Sequence, residues 1–169
     1  MALLPAGTLT NVYASLDVYL QNQLVVAAGL AVRLHAGRRF VPPVDDPWVE
    51  CHYDFLGLQN AFRRQIGRGV LATERQGYVQ LNVYQRARVF RTRYTTVQAR
   101  DAVVAAFPEG GLIAVYDVTD ALPDTDLDRV GVVIIDGTQE HVLDVGLKSG
   151  ITQRVVQIAT RYLEHFTRA

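Results

Sequence analysis

Two segments in which apolar and polar residues alternate constrain the fold of this chain more than any other feature. In the first, residues 48–56, the apolar positions are Val49, Cys51, Tyr53 and Phe55. The second follows Gly77, and its apolar positions are Val79, Leu81 and Val83. Gln80 and Asn82 fall between them and are expected to point outward. Because successive side chains of a strand point to opposite faces, both segments are predicted to be half-buried strands.

Two helices are predicted to pack on these strands. The first begins at Thr8 or Thr10, either of which can cap a helix, and runs to about Leu24. Its apolar stripe recurs at helical spacing: Leu9, Val12, Leu16, Leu20 and Leu24. The second covers about residues 95–107 and ends before Pro108 and the pair Gly110-Gly111. Its core side is predicted to consist of Val97, Val103, Val104 and Phe107.

The other elements are assigned from apolar runs and turn-forming residues. Residues 30–34 and 112–118 are predicted strands, whereas residues 35–47 and the acidic residues 119–128 are predicted loops. Asp136-Gly137 favours a tight hairpin turn, so residues 130–135 and 140–147 are predicted to be the strands of a hairpin. Residues 151–166 fit a helix or a strand, and their β-branched residues favour the strand.

The chain as a whole is predicted to form one domain. Residues 60–73 combine arginine and glycine with a weak apolar pattern, and we expect them to be mobile. No internal repeat or linker divides the sequence, and 169 residues would be cramped for two full domains. We therefore predict a single α+β domain over residues 1–169, a mostly antiparallel β-sheet with two helices packed on it.

The residue types that carry catalysis or bind metals are scattered. None of the four histidines lies three or four residues from another histidine or a cysteine on a predicted helix. Cys51 and His52 are neighbours on a strand, so they face opposite sides. Asp124, Asp126 and Asp128 imitate the start of a calcium loop but lack the glycine and glutamate that must follow. We therefore predict no catalytic residue, no metal and no cofactor, and hence a protein that is not an enzyme.

Charge is distributed unevenly along a chain whose formal net charge is zero. Residues 63–93 contain eight arginines and one acid, whereas residues 101–144 contain ten acids and one arginine. Such asymmetry suits association between copies, basic surface to acidic surface, although solvated loops are an equally good interpretation. The residues predicted to form these inter-subunit pairs are Arg63, Arg64, Arg68, Asp124, Asp126 and Asp128.

One group of arginines has particular functional interest and is called the arginine loop here: Arg86, Arg88, Arg91 and Arg93. It lies within residues 85–93, between a predicted strand and a predicted helix, and contains no acid. Guanidinium groups suit contact with phosphate or bidentate pairing with carboxylates of a neighbouring subunit. A solvated loop is the alternative interpretation.

The order of elements resembles that of a known family. A long N-terminal helix and a proline-bearing loop precede the strand Pro47-Trp48-Val49-Glu50-Cys51-His52-Tyr53. A glycine then opens Gly77-Tyr78-Val79-Gln80-Leu81-Asn82-Val83-Tyr84. The helix of residues 99–107 leads to Gly110-Gly111-Leu112, and a late strand pair with an aromatic C-terminal segment ends the chain. Over about residues 9–166, this resembles the tail terminator and tail-completion proteins of long-tailed, siphovirus-type bacteriophages.

The resemblance implies an α+β subunit that forms a ring, usually a hexamer, at the neck of the virion after assembly in the host cytoplasm. Its partners would be other copies of the chain, the tail tube protein and a head-completion or connector protein. The arginine loop would line the lumen, with transient non-specific contact to genomic DNA, or would dock on the tail tube. The alternatives are a head–tail connector or head-closure subunit and, less favoured, a nucleic-acid-binding module. No membrane partner is expected, because the longest apolar stretch, residues 24–32, is far shorter than a bilayer span.

Overall fold

A computed structural model describes residues 9–34, 39–55, 62–67, 70–86, 95–117, 129–143 and 150–167. They form two α-helices and seven strands, which confirms the predicted α+β class. The helical elements are α1 (Leu9–Leu20), which continues as a π-helical segment (Gln21–Ala27), and α2 (Thr96–Ala106). The strands are β1 (Ala31–Arg33), β2 (Trp48–Asp54), β3 (Phe62–Gly67), β4 (Val70–Arg86), β5 (Leu112–Tyr116), β6 (Arg129–Leu143) and β7 (Ile151–Thr167).

The strands form one sheet in the order β1-β2-β4-β7-β6-β5, with β3 paired to β4 beyond the end of β2. All pairs are antiparallel except β1 with β2. The centre of the sheet is the pairing of β4 with β7, which is continuous over the full length of both 17-residue strands. The favoured strand assignment of residues 151–166 is therefore confirmed.

The helices and the sheet enclose the core on one face of the sheet. The apolar positions that alternate along β2 and β4 are buried there, as predicted. The stripe of the first helix is also confirmed, with Val12, Leu16, Leu20 and Leu24 fully buried. Leu24 lies in the π-helical segment rather than in α1, so the stripe continues through the change of helix type.

Position 77 requires glycine because Phe55 and the backbone of Asp54 lie very close to its Cα atom. A Cβ atom at this position would lie 2.4 Å from Cδ1 of Phe55 and 2.5 Å from the carbonyl oxygen of Asp54. The Phe55 ring, which is fully buried, therefore packs directly over the backbone of β4. It also meets the ring of Tyr162 edge to face, with 5.6 Å between the ring centroids.

Helix α2 begins with a capping box. The Thr95 side chain accepts from the backbone N–H of Gln98, and the Gln98 side chain accepts from the backbone N–H of Thr95. With this start, the buried positions of the helix are Ala99, Val103 and Ala106. The prediction that Val97 belongs to the core side is wrong, because Val97 is 47% exposed.

The predicted hairpin at Asp136-Gly137 is also wrong. Strand β6 runs through both residues and pairs with β7 on either side, with a register shift between Ile135 and Gly137. A type I′ turn needs positive φ at both central residues, and neither residue has it. The pair forms a bulge instead, because continuous pairing with β7 outweighs the local preference for a turn.

Residues 60–73 were expected to be mobile and without assigned structure, but within them the structure contains β3 and the first residues of β4. The register of β3 against β4 runs from Phe62 opposite Glu74 to Gly67 opposite Val70. The weak apolar pattern concealed this strand, whose backbone is paired with that of β4.

Candidate interaction surface on the open face of the sheet

The sequence-predicted site residues are only partly within the described structure. Arg86 is the exposed last residue of β4, whereas the rest of the arginine loop (Arg88, Arg91 and Arg93) lies outside the described residues. Arg63 and Arg64 belong to β3, where their backbones pair with Thr73 and Ala72. The other predicted charge-pair residues also lie outside the described residues: Arg68, Asp124, Asp126 and Asp128.

The backbone positions of Arg64 and Arg86, two of the arginines within residues 63–93, lie far apart in the sheet. Arg64 lies opposite Ala72, and Arg86 lies fourteen residues further along β4. At about 3.3 Å per residue, the two positions are separated by about 46 Å along the strand. Arg64 and Arg86 are therefore placed toward opposite ends of β4.

Several of the acids in residues 101–144 form ion pairs within one copy of the chain. Arg100 of α2 contacts Asp101, at 2.6 Å, and also Glu140 of β6. Arg161 of β7 contacts Asp136 and, at 3.5 Å, Glu74. These carboxylates are therefore partly neutralised within one copy before any second copy is considered.

The face of the sheet opposite the helices is called the open face here, because no helix of the described residues packs on it. Alternation along the strands gives this face aromatic and amide side chains. They include Trp48 and His52 on β2, Tyr78, Gln80, Asn82 and Tyr84 on β4, and Gln157 on β7. Trp48 and Asn82 are buried, so the side chains that this face offers to a partner are chiefly those of His52, Tyr78, Gln80, Tyr84 and Gln157.

Hydrogen bonds hold the centre of the open face in place. The Gln157 side chain donates to Oε1 of Gln80 at 3.2 Å, and Gln80 donates to Oδ1 of Asn82 at 3.0 Å. Trp48 stacks on Tyr84, with 5.4 Å between the ring centroids and 22° between the planes. Asn82, expected to point outward, does point away from the helices but is buried at 4% exposure.

One corner of the open face contains a depression, called the corner depression here. It is lined by Glu74, Val132, Ile134, Arg161 and Tyr162. Ile134 lies opposite Leu112 of β5, which is 60% exposed, so the apolar surface extends beyond the depression to the edge of the sheet. An exposed apolar patch with charged groups at its rim is typical of a protein-binding surface.

The charged side chains beside the corner depression are paired with each other. Nε of Arg161 lies 2.8 Å from Oδ1 and 2.7 Å from Oδ2 of Asp136. The hydrogen bond and the charge of Asp136, with a smaller effect from Glu74, raise the pKa of the Arg161 guanidinium. The guanidinium therefore has carboxylate partners on both β6 and β4.

Sequence reasoning missed this corner because it assigned residues 112–118 and 130–135 to strands without assigning the faces of their side chains. The signal was present: Leu112 to Tyr116 and the apolar residues around Val132 and Ile134 form continuous apolar runs. Such runs place apolar side chains on both faces of a strand. Here one set enters the core and the other lies on the open face.

Cys51 and Tyr53, two residues of types that can take part in catalysis, are buried in the core. Cys51 is buried, and burial, with smaller effects from Asp17 and Glu50, raises the pKa of its thiol. The hydroxyl of Tyr53 donates to Oδ1 of Asp17 at 2.8 Å, and burial raises the pKa of this tyrosine. Within the described residues, no three His, Cys, Asp or Glu side chains converge where they could bind a metal ion.

No helix among the described residues has the length and apolar character to cross a bilayer.

No protein-family model matches the sequence, and no curated protein matches it either. The function proposed below is therefore inferred from the element order, the fold and the open face.

Proposed function

We propose that this chain is a structural protein of a bacteriophage neck that forms a ring, caps the tail tube and joins the tail to the head. The observation that carries the proposal is the open face: a wide sheet covered by helices on one side and bearing aromatic, amide and apolar side chains on the other. A subunit of this form has a large surface left for contacts with copies of itself and with a tube.

The order of elements supports the same proposal. Helix α1 precedes the alternating strand β2, Gly77 lies in the next alternating strand, and α2 is followed by Gly110-Gly111. This is the order on which the resemblance to tail terminator proteins rests. The proposed partners are other copies of the chain, the tail tube protein and a head-completion protein, with transient contact to genomic DNA.

The separation of Arg64 from Arg86 favours a structural role over a nucleic-acid-binding module. A duplex-binding surface brings several cations to neighbouring phosphates. Here Arg64 and Arg86 lie at opposite ends of β4. In the proposed ring, Arg86 and the rest of the arginine loop line the lumen, and β3 lies at the other end of the subunit.

Electron microscopy of tail tubes assembled in vitro tests the proposal. Purified chain is added to polymerising tube protein from a long-tailed phage that encodes this chain, and tube ends and tube lengths are recorded. We expect a ring at one end and shorter tubes as the chain concentration rises. Tubes of unchanged length with bare ends would contradict the proposal, and binding to isolated connectors alone would favour a head-closure subunit.

A further inference from the structure

We propose that adjacent copies associate head to tail, with the loop of residues 41–44 of one copy seated in the corner depression of the next. This inference rests on the proposed ring and names the contact that builds it. The loop has the sequence Val41-Pro42-Pro43-Val44 and is called the VPPV loop here. Each copy of the chain carries both the loop and the receiving depression.

The VPPV loop presents apolar side chains to solvent. Val41 is 74% exposed and Val44 is 65% exposed. Between them, Pro42 and Pro43 have fixed φ angles, so little backbone freedom remains to be lost on binding. An exposed, preorganised apolar loop is suited to insertion into a complementary surface.

The corner depression offers the matching surface. Val132 and Ile134 lie in it, and the largely exposed Leu112 extends the apolar area to the sheet edge. The charged groups at this corner, Arg161 and Asp136, already contact each other. Apolar side chains can therefore enter the depression without separating a charge from its partner.

Charge beside the two surfaces is complementary. Asp45 and Asp46 follow the VPPV loop directly and are exposed. Arg129 is exposed at the start of β6, three residues before Val132. Insertion of the loop brings two carboxylates toward this guanidinium, which adds a modest, salt-dependent attraction and favours one orientation.

The topology requires the two surfaces to belong to different copies. The VPPV loop leads into Trp48, opposite Tyr84, whereas the corner depression includes Glu74, ten residues away on β4. This corresponds to about 33 Å along the strands and about 14 Å across three strand spacings. The four residue steps from Val44 to Trp48 span at most about 14 Å, so Val44 cannot reach the depression of its own copy. A contact between different surfaces repeats from copy to copy and closes into a ring when the rotation permits.

Cysteine crosslinking tests the contact directly in full-length protein. Val44→Cys and Leu112→Cys variants are mixed, assembled and treated with a short bismaleimide, and Cys51 gives little background because it is buried. We expect a covalent dimer in this mixture. The matched control replaces Val44→Cys with Val26→Cys, since Val26 is similarly exposed, at 71%, but lies in the π-helical segment. The control mixture should give no such dimer.

Substitutions that remove apolar surface from the VPPV loop or from the edge of the corner depression should weaken assembly, whereas the control substitution should not. Val41→Ser with Val44→Ser, or Leu112→Ser, is expected to raise the dissociation constant between copies by about tenfold or more, whereas Val26→Ser should leave it unchanged. Asp46→Arg should also weaken assembly, and Arg129→Glu in the same chain should restore it.

The outcomes of these experiments distinguish an error in this contact from an error in the proposed ring. Closed rings in which residues 44 and 112 do not crosslink, or rings indifferent to the VPPV loop variants, would overturn this contact and leave the proposed function standing. Dimers crosslinked through Val44→Cys alone would show a symmetric contact and would also overturn it. A chain that stays monomeric at every concentration, including with tail tubes, would overturn both.

Discussion

Arg161 and Asp136 face each other across the pairing of β6 with β7, with Nε of the arginine within 2.8 Å of both carboxylate oxygens. Asp136 lies at the bulge in β6, in a residue pair that would otherwise favour a turn. The contact therefore helps to keep β6 in one continuous strand and to form the wall of the corner depression.

Removal of this contact should destabilise the sheet moderately. We expect Arg161→Ala to lower the free energy of unfolding by about 1 kcal/mol, a value limited by the partial exposure of the guanidinium. Arg33→Ala is the matched control, since Arg33 reaches Glu50 only at 3.8 Å and is more exposed. Urea unfolding followed by circular dichroism measures both variants, and equal losses would contradict a special role for Arg161.

Gly77→Ala should be among the most damaging small substitutions in the chain. The added methyl group would collide with the Phe55 ring and with the Asp54 carbonyl oxygen, and a backbone atom cannot move aside without disturbing β2. We expect a loss of about 3 kcal/mol or failure to fold. Gly137→Ala is the control, because a Cβ there meets nothing within 4 Å, and thermal melting should show it nearly unchanged.

The hydroxyl of Thr160 is buried and lacks a hydrogen-bond partner among the described residues. Because valine has nearly the same shape without the polar group, Thr160→Val should stabilise the protein by about 1 kcal/mol. Thr138→Val, at an exposed position of β6, should have little effect. A rise in the denaturation midpoint confined to the Thr160 variant is the expected result, and a fall would show that the hydroxyl has a partner.

Cys51 should be unreactive in the folded protein. Burial raises the pKa of its thiol, so the thiolate, which is the reactive form, stays scarce as the pH rises from 7 to 9. An aromatic disulfide reagent should therefore react slowly over this range and quickly once urea unfolds the chain. Fast reaction of native protein that increases with pH through this range would contradict the buried assignment.

The sequence predicted the core better than the surface. Alternation along β2 and β4 was sufficient to identify the residues that enter the core, because burial of one face imposes that period. The turn preference of Asp136-Gly137 misled because it is a local property, whereas the pairing of β6 with β7 is fixed by many residues distant in sequence. The corner depression was missed for a similar reason: it exists only where Glu74, Ile134 and Arg161 come together from three strands.

Native mass spectrometry of the purified chain tests the central claim most directly, because it measures how many copies associate. A ring-forming neck protein should give a single closed species of defined copy number, expected to be a hexamer with six times the 18.8 kDa mass of one chain. It should persist on dilution well below the concentration used for assembly. A spectrum containing only monomers, or an open series of oligomers with no preferred size, would contradict the account.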